Sequence, residues 1–417
     1  MARLGLIFSF LTAFSPTASS VLLHIEPQPQ DSAEGQAVPH FVSFISKYGR
    51  TYQHGTQEYE QRLDIFSRRL AEVKAHNERT DRRWTADINV FSDRTDAELE
   101  QLRGWRGGVV RGNKGKAPAT RAGATFLKQA AKAVVLPRDF TNWTKLTSLS
   151  QIRDQGACGS CWAVATGTML DAHSEIHSPQ NGRRSFSVQD LVSCVPNLRS
   201  CGGTGGCAGA TVELALDYAI NYGLETSETS PYNAVSGICK NKIGKTSVAL
   251  SMGTGAKGNG EDTVDVAAQG MHFAATEPAP AVGMKAWERL PENAYEPLLR
   301  AVYERGPVAV SVSATGWFSY SNGIFDGCPK DAVIDHAVTL IGFGEDAGSK
   351  FWLIQNSWGP TWGVNGRIRL LRQDGEEQHC GTDRQPEVGT GCKGGPAEVR
   401  VCGMCGILYD NAVPHFA

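Results

Sequence analysis

Cysteine is a strong nucleophile only as its thiolate, and Cys161 stands where that anion would be stabilised. The run Gln155-Gly-Ala-Cys158-Gly-Ser-Cys161-Trp162-Ala163 leads into a predicted helix. The aligned backbone dipoles of a helix lower the pKa of a thiol at its N-terminus. Such a thiol still needs a base. His336, in Asp335-His336-Ala337, comes just before an apolar strand-like run, and Asn356, in Asn356-Ser357-Trp358-Gly359, just after one. His336 beside Cys161 would form a thiolate–imidazolium pair, with the Asn356 amide orienting the imidazole. The Gln155 amide and the backbone N–H of Cys161 could both donate to a developing oxyanion. This is the equipment of acyl transfer through a sulfur nucleophile.

Competing chemistries fit less well. Cys158-x-x-Cys161 has the spacing of a redox pair, but no thioredoxin-like strand precedes it. Cys402-Gly-Met-Cys405 invites a zinc reading, yet Cys402 comes 241 residues after Cys161, against about 15–20 between the halves of a zinc ribbon. The glycine-rich run at 202–206 lacks the Lys-Ser/Thr of a phosphate cradle and reads as exposed turns. No cofactor or metal is expected. A net charge of -2 gives no sign of nucleic-acid binding, and the one long apolar run is too short to span a bilayer.

Elements must bring these residues together. A helix is expected from Cys161 to Ile176, with Trp162, Ala165, Met169 and Ala172 on one side. Short β-branched or alternating runs at 308–312, 337–341, 351–354 and 368–371 read as strands. Helices first and strands later make an α+β protein of two packed lobes. Residues 253–283 and 372–401, rich in Gly and polar residues and lacking a period, read as inserted surface loops. Ahead of this part lies a charged helical region, about 40–102. Within it Glu58, Arg62, Phe66, Arg69, Val73 and Asn77 share one stripe of a single helix. Asp87, Asn89, Phe91 and Asp93 alternate as in an extended strand. A Gly-, Lys- and Arg-rich linker follows, to about residue 133. The charge is uneven: residues 21–135 hold 18 Lys+Arg against 14 Asp+Glu, and those from 136 onward 22 against 29. Opposite signs suit two parts that bind one another.

Arg3, the apolar stretch 4–14 and Ala18-Ser19-Ser20 have the layout of a signal peptide over residues 1–20. Eleven cysteines then read as disulfides of an oxidising compartment, with one left over. Asn142-Trp143-Thr144 is a potential glycosylation acceptor there.

With these motifs in place, the chain resembles papain and cathepsin L along nearly its whole length. The helical stripe resembles the ERFNIN pattern of their propeptides, with Arg69 and Val73 departing from the usual Asn and Ile. The 87–93 run resembles the companion GNFD pattern without its first Gly. The resemblance implies a signal peptide (1–20), an inhibitory propeptide (21–133) and a papain-like catalytic domain (134–417). It implies a cysteine endopeptidase made as a zymogen, whose partners are protein or peptide substrates and its own propeptide, lying backwards through the cleft. The compartment implied is a lysosome or vacuole-like organelle, or the extracellular space. It also implies Cys161 as nucleophile, His336 as acid/base, Asn356 as orienter, Gln155 as oxyanion donor and Trp358 as a shield over the Asn–His bond. Substrate contacts would come from Gly209, Ala210, Ile334 and Ala337, with Asp410 as the S2 floor accepting Arg or Lys. The implied disulfides join Cys158 to Cys207, Cys194 to Cys239 and Cys328 to Cys405; Cys201, Cys380, Cys392 and Cys402 stay unassigned, with three connectivities open. His336 follows Cys161 by 175 residues, against about 130–150 in relatives, and the 253–283 insertion accounts for most of the excess. Ala210 stands where the family has Gly. An inactive binding protein on the same scaffold would usually have lost one of the four catalytic residues. A cathepsin B-like exopeptidase would need a His-bearing capping loop, and no His lies between His177 and His272.

Overall fold

The computed structural model describes residues 33–104, 135–178, 184–239 and 282–416. The expected signal peptide, most of the linker and nearly all of the 253–283 insertion lie outside them.

The amino-terminal region is built on two helices, α1 (Ala33–Lys47) and α2 (Gln57–Glu78). Thr56 caps α2 by accepting from the Tyr59 amide. All six stripe residues fall on this one helix. Phe66 packs with Phe41, Phe44 and Tyr59 in a small aromatic core. Arg62 instead reaches Glu98, and Asn77 makes a two-way bond with the backbone of Ala86. The strand here is β1 (Trp84–Ala86), not 87–93. The alternating residues form a turn in which Asn89 and Asp93 point inward: Asn89 Oδ1 accepts from the Phe91 amide, and buried Asp93 accepts from Arg50 and Tyr52. Alternation here serves a folded turn rather than a pleat. Helix α3 (Asp96–Leu102) follows, opened by a Thr95–Glu98 capping box.

The first lobe of the remaining chain holds α4 (Cys161–His177), α5 (Val188–Cys194) and α6 (Val212–Tyr222). Helix α4 is buried on every side from Cys161 to Ser174, as a central helix is. The second lobe is a sheet, with α7 (Tyr295–Glu304) against it. Its strands are β2 (Met284–Arg289), β3 (Val308–Val312), β4 (Tyr320–Phe325), β5 (His336–Asp346), β6 (Ser349–Gln355), β7 (Arg367–Leu371) and β10 (Asp410–Phe416). Their order is β1-β4-β7-β6-β5-β3-β10-β2, so the amino-terminal region supplies the edge strand beside β4.

Residues 372–401 are not merely a loop. They carry a hairpin, β8 (Cys380–Asp383) with β9 (Val399–Cys402), closed by the Cys380–Cys402 disulfide. Cys201 bonds to Cys392, and the other three disulfides join the cysteines that the resemblance implied. Among the described residues Cys161 is the free cysteine.

Candidate active site

Cys161 is the first residue of α4 and His336 the first of β5, and α4 packs against β5. Asn356 follows the end of β6, the strand paired with β5. Sheet pairing therefore presents the imidazole to the amide, and helix–sheet packing presents it to the thiol. His336 Nε2 lies 2.8 Å from Asn356 Oδ1, which also accepts from the Ser357 amide at 2.8 Å. An oxygen partner fixes the proton on Nε2 and leaves Nδ1 as the basic nitrogen. That Nδ1 is buried and without a protein partner. The Trp358 ring covers the pair at 5.0 Å from the imidazole, and Phe318 stacks on its other side at 4.5 Å.

Gln155 is fully buried. Its Oε1 accepts from Ser357 Oγ, which aims Nε2 at two carbonyls, Cys158 at 2.8 Å and Leu102 at 2.9 Å. The second belongs to the amino-terminal region. Its carbonyl occupies the Gln155 amide that the sequence reading expects to serve a developing oxyanion. Two residues on, Gly104 passes directly over Cys161: a Cβ there would stand 2.9 Å from its Sγ, and the φ of +83° at Gly104 also favours glycine. Across the cleft, a Cβ on Gly209 would lie 1.8 Å from the Gly104 oxygen, so glycine is required on both strands of this approach.

This cover changes the electrostatics. Burial pushes the Cys161 thiol up to about 11, against the lowering effect of the Ala337 and Trp162 amides. Burial also lowers His336 to about 4, although the bond to Asn356 opposes it. A proton shared between such groups stays on sulfur, and thiol and imidazole are both neutral between those limits. Arg103 Nη1 sits 3.3 Å from Asp335 Oδ2 beside the dyad. Arg103 and Gly104 read in the sequence only as the start of a linker; the Thr95–Glu98 capping box was the available signal that an ordered helix begins shortly before them.

The specificity residues divide. Ala210 and Ala337 line the cavity beside Cys161, with Val212 and Ser311, while Gly209 lies against the Gly104 oxygen. Ile334 turns its side chain toward Gly406 instead. Asp410 is a correction to the sequence reading of an open acidic floor. Its carboxylate is buried, accepting from Arg289 Nε at 2.8 Å and Ser311 Oγ at 2.9 Å. Asn142 is exposed at the start of a 3-10 turn, Asn142–Lys145.

Residues 136–390 match the model of the papain family cysteine protease, and 41–99 that of the cathepsin propeptide inhibitor domain. The chain belongs to the papain family of cysteine proteases. It is 29% identical over 327 residues to vignain of Ricinus communis, covering 77% of each chain. Against cathepsin L1 of Drosophila melanogaster it is 28% identical over 348 residues, covering 81% of each. The structure of a digestive procathepsin L2 from Tenebrio molitor larval midgut superposes with a TM-score of 0.64 at 24% identity, covering 91% of this chain and all of that one. The protein is thus a papain-like cysteine endopeptidase with a prodomain that inhibits it, in the α+β fold of procathepsins. No helix among the described residues is long and apolar enough to cross a membrane.

Proposed function

We propose that the catalytic set is Cys161, His336, Asn356 and Gln155, acting by thiolate attack on a peptide carbonyl. The sulfur bonds to the carbonyl carbon, and the oxyanion is held by Gln155 Nε2 and the Cys161 amide. His336 then protonates the departing amine, and the same imidazole activates the water that releases the acyl group from sulfur. The observation that carries this reading is the Gln155 amide bound to a carbonyl supplied from across the cleft, two residues before the backbone that covers Cys161. A backbone carbonyl held where the oxyanion would form supports this assignment.

The reading takes domain limits of 1–20, 21–133 and 134–417, with maturation near residues 134–136 and activity at acid pH. Five disulfides and an exposed sequon at Asn142 support passage through the secretory pathway to a lysosome, a vacuole-like compartment or the exterior. Purified precursor incubated from about pH 4 to 7 with a fluorogenic peptide should convert to a shorter active form toward the acid end. Cys161→Ala should neither convert nor turn over substrate, and an epoxide thiol reagent should label Cys161 alone. Normal turnover by Cys161→Ala, or labelling at another cysteine, defeats the assignment.

A further inference from the structure

The loop of the β8–β9 hairpin, residues 384–398, folds back onto the molecule through its middle, where Pro386 and Gly389 are buried. It crosses the cleft. On the wall that carries the base, the Thr390 amide donates to the Ile334 carbonyl at 3.0 Å, and Gly389 is so close that a Cβ would lie 1.9 Å from the same oxygen. On the opposite wall, the Gly202 amide donates to the Gly391 carbonyl at 2.9 Å, and the Lys393 amide to Arg199 at the same distance. The Cys201–Cys392 disulfide makes that junction covalent. Asn197 braces the receiving loop, its Nδ2 donating to the carbonyls of Cys201 and Gly203. At the root, Asp383 accepts from the Ile334 amide and pairs with Val399 across the hairpin. The strap is therefore tied to both lobes.

Its position along the cleft follows from the residues it touches. Gly202, Gly389 and Thr390 line the same cavity as Cys161, Ala210 and His336. The strap meets one wall at Ile334, two residues before His336, and the other where a Cβ on Gly202 would lie 2.6 Å from the Ala210 carbonyl. Two residues of chain reach at most about 7 Å. That is room for two substrate residues on the amino-terminal side of the scissile bond, and a third meets the strap.

We propose that this disulfide-tied strap sets a length limit on that side of the cleft. The enzyme favours peptide bonds with two residues before them, near the amino terminus of a chain, over bonds deep inside a long extended segment. This rests on the proteolytic reading above. A bound third residue must displace backbone hydrogen bonds on both walls, so its binding energy is spent on deformation rather than on the reacting carbonyl.

The test uses mature enzyme and fluorogenic peptides with two, three or four residues before the reporter and the same last two. Non-reducing mass analysis confirms that Cys201–Cys392 is intact. Wild type should lose roughly tenfold or more in kcat/KM from two residues to three. The double variant Cys201→Ser, Cys392→Ser should flatten the series. A second variant replaces residues 384–398 by Asn-Gly, a turn that suits a two-residue hairpin, with Cys201→Ser, and keeps the Cys380–Cys402 bond. It should flatten the series fully. Ratios within one preparation do not depend on the folded fraction. A wild-type series that is flat or rises with length overturns the proposal, as does a fall that persists after excision. Absence of turnover on every peptide, without labelling of Cys161, would instead defeat the proteolytic reading.

Discussion

Arg289 lies among three acids beneath the cavity wall, 2.8 Å from Asp410, 2.9 Å from Glu292 and 3.8 Å from Glu213. Burial, reinforced by the neighbouring Asp410 charge, pushes Glu213 well above the usual carboxylate range. A raised pKa means Glu213 holds its proton at acid pH, which leaves the Arg289 guanidinium to Asp410 and Glu292. With Asp410 already bound to Arg289 and Ser311, the floor offers a P2 guanidinium no free carboxylate. Wild-type enzyme should therefore prefer Leu to Arg at P2, and Arg289→Met, which leaves Asp410 without its cation, should shift the kcat/KM ratio toward Arg by about tenfold, the size of one recovered ion pair in a partly buried site. An unchanged ratio would show that these side chains do not reach P2. The contrast with the sequence reading is instructive. Asp410 could be placed near S2 by counting from Cys405, but its partner Arg289 is 121 positions away, and no local pattern announces that pairing. The four residues proposed for catalysis stood out in the sequence because each belongs to a short motif whose chemistry constrains its neighbours. The strap was not, because Cys380-Gly-Thr-Asp383 and Val399-Arg-Val-Cys402 are too short to show a period and the residues between them are Gly-rich.

At the scale of elements, the junction of α2 and α3 decides how firmly the propeptide holds together. Arg62 clamps Glu98 through two nitrogens, and the Thr95 cap binds the same carboxylate. Burial would raise Glu98, but Arg62 and Thr95 overrule it and lower its pKa to about 2. A depressed carboxylate stabilises the folded form above its unfolded pKa near 4.5, and that contribution is lost as pH falls toward 2. Asp335 acts in the opposite sense. Burial against the propeptide raises it to about 6, despite the Arg103 charge, so proton uptake at this residue favours the covered state as pH falls through that value. The proposed acid release then draws on the α2–α3 clamp and is opposed by Asp335. Glu98→Gln, which has no carboxylate to protonate, should move the onset of precursor conversion toward neutral pH. Following conversion of wild type and variant across a pH series by gel checks this, and coincident profiles would remove Glu98 from the mechanism.

Over the whole molecule, the propeptide does more than fill a groove. It anchors at the turn by Asn89 Nδ2 to the Phe318 carbonyl, sets Phe91 edge-on to Trp358 at 5.5 Å, and continues the sheet through β1. The register of Trp84 with Gly323 and Thr85 with Asn322 covers the free side of β4, whose other side pairs with β7. A side chain at position 323 would collide with this partner, since a Cβ there would come within 2.4 Å of the Arg83 carbonyl. Maturation thus strips the outermost strand from a finished sheet. What was an interior ladder becomes an open border with unsatisfied amides and carbonyls, which is a template for another extended chain. The price of activation is then colloidal. At equal concentration and pH, mature enzyme blocked at Cys161 should scatter more light on standing than the Cys161→Ala precursor, and a short peptide spanning Arg83 to Asp87 should suppress the difference by re-covering that border.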